Sequence, residues 1–405
     1  MKNFLYLIIT VSLFNCSGNH SSKSLSAQTK NTKMITIDNK QTFIIGTYYL
    51  PQNANPYKTL AENGFNYFRA KADSAELDSA FKYGLKTWIH LGSIKNGQKR
   101  DESENKVRTK IETFKNHPAL LCWELEDEPA YTWNSAKPRI LLEQMIETYK
   151  VVKSVDPKHL IYMNHAPVNL VSTMQKYNDS ADILACDIYP VIPHGIRPTH
   201  ALLADGLQGD RLNPYISQVG EYAERLKRVS SEKPFFMVLQ GFAWEMLKPE
   251  SERNPQMIVY PSYEQLRFMA YNAIIHDANG IIYWGTKYTP ANEPFWNDLF
   301  KVTRELESIQ KILTAPVEDF PIEKEYHELG YSVDGGVEIL IKQFNGSVYL
   351  LTANIDKHQA KISFNKISGF TKAEVLTENR EILISGETLT DDYKPFDVHI
   401  YKLTN

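Results

Sequence analysis

Cysteine is scarce, with three in 405 residues, and their spacing forms neither a disulfide framework nor a zinc-ligand pattern. Cys122 and Cys186 each sit inside an apolar run, so they read as buried free thiols. Net charge is also small, −3, with acids and bases intermixed, and nothing in that balance calls for a nucleic-acid partner. Phe4 to Phe14 is an apolar run too short to cross a bilayer as a helix. No glycine-rich phosphate turn follows the first strand signal, which argues against a dinucleotide fold. A Gly-x-Ser-x-Gly turn is missing as well, so an ester or amide hydrolase of that kind has no support. Repeats and low-complexity blocks are absent beyond the N-terminal stretch.

That stretch reads as an address. Lys2 precedes the short apolar run, which ends Leu13-Phe14-Asn15-Cys16-Ser17-Gly18. The arrangement resembles a bacterial lipoprotein signal, residues 1–16, with Cys16 as the lipidated residue; Asn15 departs from the smaller residue usual there. Residues 17–38, rich in Ser, Asn, Lys and Thr, are expected to be a flexible tether. Ser17 does not resemble an inner-membrane retention signal, so outer-membrane attachment through the lipid is expected, with simple secretion as the alternative.

From residue 39 to about 314, strand and helix signals alternate. Strand-like runs lie at Phe43–Leu50, Phe65–Ala70, Leu85–Leu91, Leu120–Leu125, Leu160–Asn164, Ile183–Tyr189, Pro234–Gln240 and Gly280–Trp284. Amphipathic stretches such as Ser74–Tyr83, Glu104–Lys115, Pro138–Ser154, Asn213–Ser230 and Tyr263–Asp277 separate them. Such a series predicts an α/β fold, a (β/α)8 barrel with its site at the strand C-terminal ends. Residues 315–405 change character, to short alternating runs broken by turns such as Asn345-Gly346, and predict a small antiparallel β-sandwich. With 23 Tyr, 18 Phe and 6 Trp, the chain has aromatic faces enough both for a core and for a cleft that stacks on sugar rings.

The run Leu120 to Trp123 ends in Glu124-Leu125-Glu126-Asp127-Glu128 and is stopped by Pro129. Placing acids at a strand tip is costly, since each buried carboxylate needs a partner or a shifted pKa, and that cost points to chemistry. Strand alternation puts Glu124, Glu126 and Glu128 on one face, with the first two pointing into the barrel as partners of Arg or Lys. Other polar strand tips are Arg69, His90, Asn164, His165, Asp187, Tyr189, Gln240 and Trp284.

Trp123 to Pro129 resembles the fourth-strand motif Trp-Glu-Leu-x-Asn-Glu-Pro of clan A glycoside hydrolases, closest to the family 5 cellulases and β-mannanases, with Asp127 in place of Asn. Ala61-Glu62-Asn63-Gly64-Phe65-Asn66-Tyr67-Phe68-Arg69 is similar to their second-strand motif, and the resemblance spans about residues 40–314. It implies a barrel glycosidase in which Glu128 is the general acid/base, Asp127 holds a sugar hydroxyl and Trp284 is the platform at the cleavage point. Arg69, His90, Asn164, His165, Tyr189 and Gln240 are expected to bind substrate, and Trp133 and Trp244 to add stacking surface. One position departs from the family: the nucleophilic glutamate of strand seven is Gln240. A second carboxylate, Asp187, stands on strand six where the family has His, and it is expected to take the second catalytic role, with Glu245 and then Glu293 in reserve. Carboxyl spacing of about 5–5.5 Å would mean retention, and about 6.5–9.5 Å inversion. The expected partner is a carbohydrate, with membrane contact only through the lipid. No cofactor or metal is implied, and a monomer is expected. The alternative reading is a sugar-binding protein on a barrel that lost its nucleophile.

Overall fold

The computed structural model describes residues 33–132, 137–196, 213–327 and 335–405. Cys16, Trp133 and most of the segment between strand six and its helix lie outside them.

A hairpin of β1 (Ile35–Ile37) and β2 (Lys40–Thr42) opens the described chain. The tether expected over 17–38 therefore ends in ordered structure, because Ile35 is buried against the barrel interior. Eight parallel strands then close a ring: β3 (Ile44–Thr47), β4 (Tyr67–Ala70), β5 (Lys86–His90), β6 (Leu120–Glu124), β7 (Leu160–His165), β8 (Ile183–Ile188), β9 (Phe235–Gln240) and β10 (Gly280–Trp284), with β10 pairing β3. A helix follows each: α1 (Pro56–Glu62), α2 (Ser74–Lys82), α3 (Arg100–Phe114), α4 (Leu142–Val155), α5 (Val171–Tyr177), α6 (Gln218–Val229), α7 (Tyr263–Ile275) and α8 (Phe295–Ser308). The expected (β/α)8 barrel is present.

Alternation sorts the strand residues into two cores. Tyr67, Trp88, Cys122, Tyr162, Ala185, Phe236 and Ile282 fill the ring, while Phe68, Ile89, Trp123, Met163 and Met237 pack outward under the helices. Large rings fit inside because small residues face them. A Cβ at Gly46 would lie 3.1 Å from the Tyr67 ring. The interior is a packed core closed to solvent at its centre, so any ligand must sit at the strand tips.

Beyond a short α9 (Gln310–Leu313), the strands β11 (Glu323–Tyr326), β12 (Val337–Phe344), β13 (Ser347–Asn354), β14 (Ala360–Asn365), β15 (Lys372–Val375), β16 (Arg380–Leu383), β17 (Leu389–Tyr393) and β18 (Val398–Thr404) form two antiparallel sheets. The expected sandwich is thus present. Asn345 and Gly346, at φ +50° and +77°, make the tight β12–β13 turn that their sequence forecasts. Helix α7 lies between barrel and sandwich and is buried from Leu266 through Ile275, Arg267 and Asn272 included, so the stretch expected to be amphipathic is covered on both faces.

Candidate active site

Strand β6 stops at Glu124, two residues earlier than alternation would carry it. Glu124 is fully buried, 2.9 Å from Arg69 Nε and 3.4 Å from His90 Nδ1. Leu125 turns outward, and Glu126 swings to the loop after β5, where Ser93 Oγ donates to it at 2.7 Å and Lys95 lies at 3.4 Å. The expectation that Glu126 points into the barrel is corrected: the strand has ended, so the period of two no longer applies. Arg69 and His90 serve first as partners of a buried carboxylate.

Glu128 takes φ +47° directly before Pro129. A left-handed residue costs about 1 kcal/mol, and proline disfavours helical backbone before it, so this conformation is held from outside. The holding contacts are its N–H, which donates to the Asn164 carbonyl at 3.0 Å, and its own carbonyl, which accepts from Tyr131 N at 3.1 Å. The loop then folds back: Arg139 N donates to Tyr131 O and Ile140 N to Pro129 O, both at 3.0 Å. Arg139 is thereby returned to the carboxyl, with Nη1 3.2 Å from Glu128 Oε2. The sequence did not single out Arg139, since loop closure and not spacing brings it there.

Asn164, on the interior face of β7 with Tyr162, joins the acids. Its Nδ2 donates to Asp127 Oδ1 and to Asp187 Oδ1, each at 3.1 Å. Asp187 and Asp127 lie near enough to the Glu128 carboxyl to act on its charge. Burial, reinforced by Asp187 and Asp127, pushes Glu128 well above the usual carboxylate range, with Arg139 opposing in part. Asp187 is raised by burial and then by Asp127, against the Asn164 hydrogen bond that favours its charged form. Asp127 is raised by burial and Glu124. Two neighbouring buried carboxyls cannot both ionise readily, and the Asn164 amide donating to Asp187 favours leaving the proton on Glu128.

Across the mouth stands an aromatic wall. Tyr189 and Trp284 stack at 5.4 Å and 24°, with Phe242 edge-on to Trp284 at 5.2 Å and Tyr288 at 5.9 Å. Tyr49 meets Trp284 at 6.4 Å, and Trp244 donates from Nε1 to the Tyr189 carbonyl at 3.2 Å.

Three expectations fail here. Gln240 is fully buried and its amide is committed to backbone: Oε1 accepts from Val191 N at 2.9 Å, and Nε2 donates to the Val191 and Phe242 carbonyls at 3.0 Å each. It fastens two loops and has no free donor for a substrate. His165 shares the outward face of β7 with Ile161 and Met163, is fully buried, and its imidazole is pushed down to about 4 by burial; it lies behind the barrel wall, away from the acids. Glu245 accepts from Asn254 N at 2.6 Å and pairs with Lys248 at 2.9 Å, so this reserve carboxylate secures its own loop. Glu293 sits in the loop after β10, beside Asn53 and Trp296. Among the described residues no group of three His, Cys, Asp or Glu side chains has the arrangement of a metal site.

No family model matches the sequence, and no curated protein matches it either. Solved structures do. A glycoside hydrolase superposes with a TM-score of 0.60 at 13% identity, over 92% of this chain and 97% of that one. This chain shares that structure's fold, a (β/α)8 barrel followed by an antiparallel β-sandwich. A family 5 glycoside hydrolase from Bacteroides vulgatus matches at TM-score 0.60 and 12% identity, over 93% and 92%. A GH30 endoxylanase from Clostridium papyrosolvens gives 0.52 at 10% identity, over 93% and 98%. Identities this low establish shared architecture, barrel and appended sandwich together.

Proposed function

We propose that the protein cleaves a glycosidic bond in the barrel mouth, with Glu128 as proton donor and Asp187 as the second carboxylate. The observation that carries this reading is the Glu128–Asp187 pair, one carboxyl held protonated near neutral pH against one that can ionise, facing an aromatic wall. In the reaction, the Glu128 proton goes to the departing glycosidic oxygen as its bond to the anomeric carbon breaks. Asp187 then takes a proton from the attacking water, inverting the centre, or bonds to the carbon itself and is displaced by water.

A second reading is favoured by Gln240: a barrel that binds carbohydrate without turnover, since no carboxylate stands at the β9 tip. Screening the purified protein on α- and β-linked oligosaccharides separates the two. Hydrolysis that falls at least about a hundredfold in both Glu128→Gln and Asp187→Asn supports the first, and the anomer released first, read by NMR, fixes the stereochemistry. Hydrolysis that survives both changes removes the site assignment, and tight binding with no hydrolysis supports the second. The protein is further proposed to be an outer-membrane lipoprotein anchored through Cys16. Cys16→Ser should abolish lipid labelling and release the chain from membranes.

A further inference from the structure

Lys287 differs from several other lysines of the barrel. Lys95, Lys153, Lys227 and Lys248 each hold a carboxylate. Lys287 has none among the described residues; its ammonium sits over the Tyr49 ring at 4.6 Å and the Tyr288 ring at 4.8 Å. Two aromatic faces orient the charge without neutralising it.

The surrounding backbone is fixed. Gly285 adopts φ +83°, and a Cβ there would fall 2.4 Å from the Phe242 ring. Thr286 Oγ1 contacts Thr47 Oγ1 at 3.1 Å and donates to the Tyr49 carbonyl at 3.1 Å, while Gln52 Nε2 donates to the Lys287 carbonyl at 2.7 Å. The cation is thus preorganised on the same wall as Trp284, which contacts both Tyr49 and Tyr288. On the far side of the mouth, Arg69 and Arg139 are already paired with Glu124 and Glu128. Lys287 is left as the wall's uncommitted charge.

We infer that the mouth takes an acidic sugar, a residue stacked at Trp284 whose carboxylate or sulfate group is met by Lys287. The inference rests on the carbohydrate reading and narrows it to anionic glycans. Specificity arises because the tyrosine-bound ammonium gains a charge-assisted hydrogen bond only from a substituent that a neutral sugar lacks.

Binding can be measured by calorimetry on the full-length Glu128→Gln protein, so that turnover does not interfere. The probes are glucuronate-containing oligosaccharides, the same set after carboxyl reduction, and the reduced set after sulfation. An acidic set is expected to bind about tenfold more tightly than the neutral set, a preference that shrinks with added salt. Adding Lys287→Met should bring acidic binding down to the neutral level without changing neutral affinity, and Lys287→Arg should restore it. Tighter binding by the carboxylate set or by the sulfate set identifies the anion. Equal binding of acidic and neutral sets, or a preference that survives Lys287→Met, overturns the inference and leaves the carbohydrate reading intact. Binding by none of the three sets overturns both.

Discussion

At the scale of single residues, Glu128 joins a strained backbone to a carboxyl displaced from its usual range. Its raised pKa has a stability consequence whose sign follows from linkage. Between the ordinary glutamate value and the raised one, the folded state binds more protons than the unfolded state, so stability falls as pH rises through that window. Glu128→Gln, which keeps the protonated shape and cannot ionise, should match the wild type near pH 4 and exceed it in Tm at alkaline pH, by on the order of 3 °C. Thermal melts from pH 4 to 10 test this, and parallel wild-type and variant curves would refute it. Glu128 was legible in the sequence because an apolar run ending in acids and a proline is an uncommon pattern. Arg139 was not, because its place beside Glu128 depends on a loop closing through backbone hydrogen bonds that no residue type encodes.

Secondary-structure elements explain which expectations held. The alternating pattern located the barrel strands, since each must bury one face in the ring and the other under helices. It failed at Glu126, two residues past the end of β6, and it misplaced His165, because a strand tip carries two parities and only one faces the mouth. Gln240 shows the same limit from another side. Its identity announced that a carboxylate was missing, but not that the amide had become the tie between the loops after β8 and β9. Restoring the acid should consequently fail. Gln240→Glu replaces an amide that donates to two carbonyls with a carboxylate facing them, and should lower stability by roughly 3 kcal/mol without raising hydrolysis. Denaturant melts and activity assays on the variant decide this; a stable, faster enzyme would show that position 240 reaches the reacting centre.

The molecule as a whole is held together across α7, where buried polar groups join barrel to sandwich. Arg267 pairs with Glu305 at 2.8 Å and donates to the Val398 carbonyl at 2.6 Å. Nearby, His276 lies between two acids, Nδ1 2.8 Å from Glu224 of α6 and Nε2 2.8 Å from Glu338 of β12. Lys227 also binds Glu224, and Asn272 Nδ2 donates to Glu338 at 3.1 Å. Burial alone would lower the imidazole pKa, but Glu338 and Glu224 together overcome it and raise the value. A histidine raised in the folded state adds stability that is complete below about pH 6.5, its unfolded value, and is lost as pH climbs through the raised value. The seam between the two domains should therefore weaken on the alkaline side. His276→Gln, which retains one hydrogen bond and no charge, is expected to lower Tm at pH 5.5 and to converge on the wild type near pH 9. Because Glu224 and Glu338 would then face each other with Lys227 on the Glu224 side alone to offset them, proteolysis at the barrel–sandwich connection should rise at low pH as well. A Tm difference independent of pH would show that His276 acts only by packing against Gly220 and not by its charge.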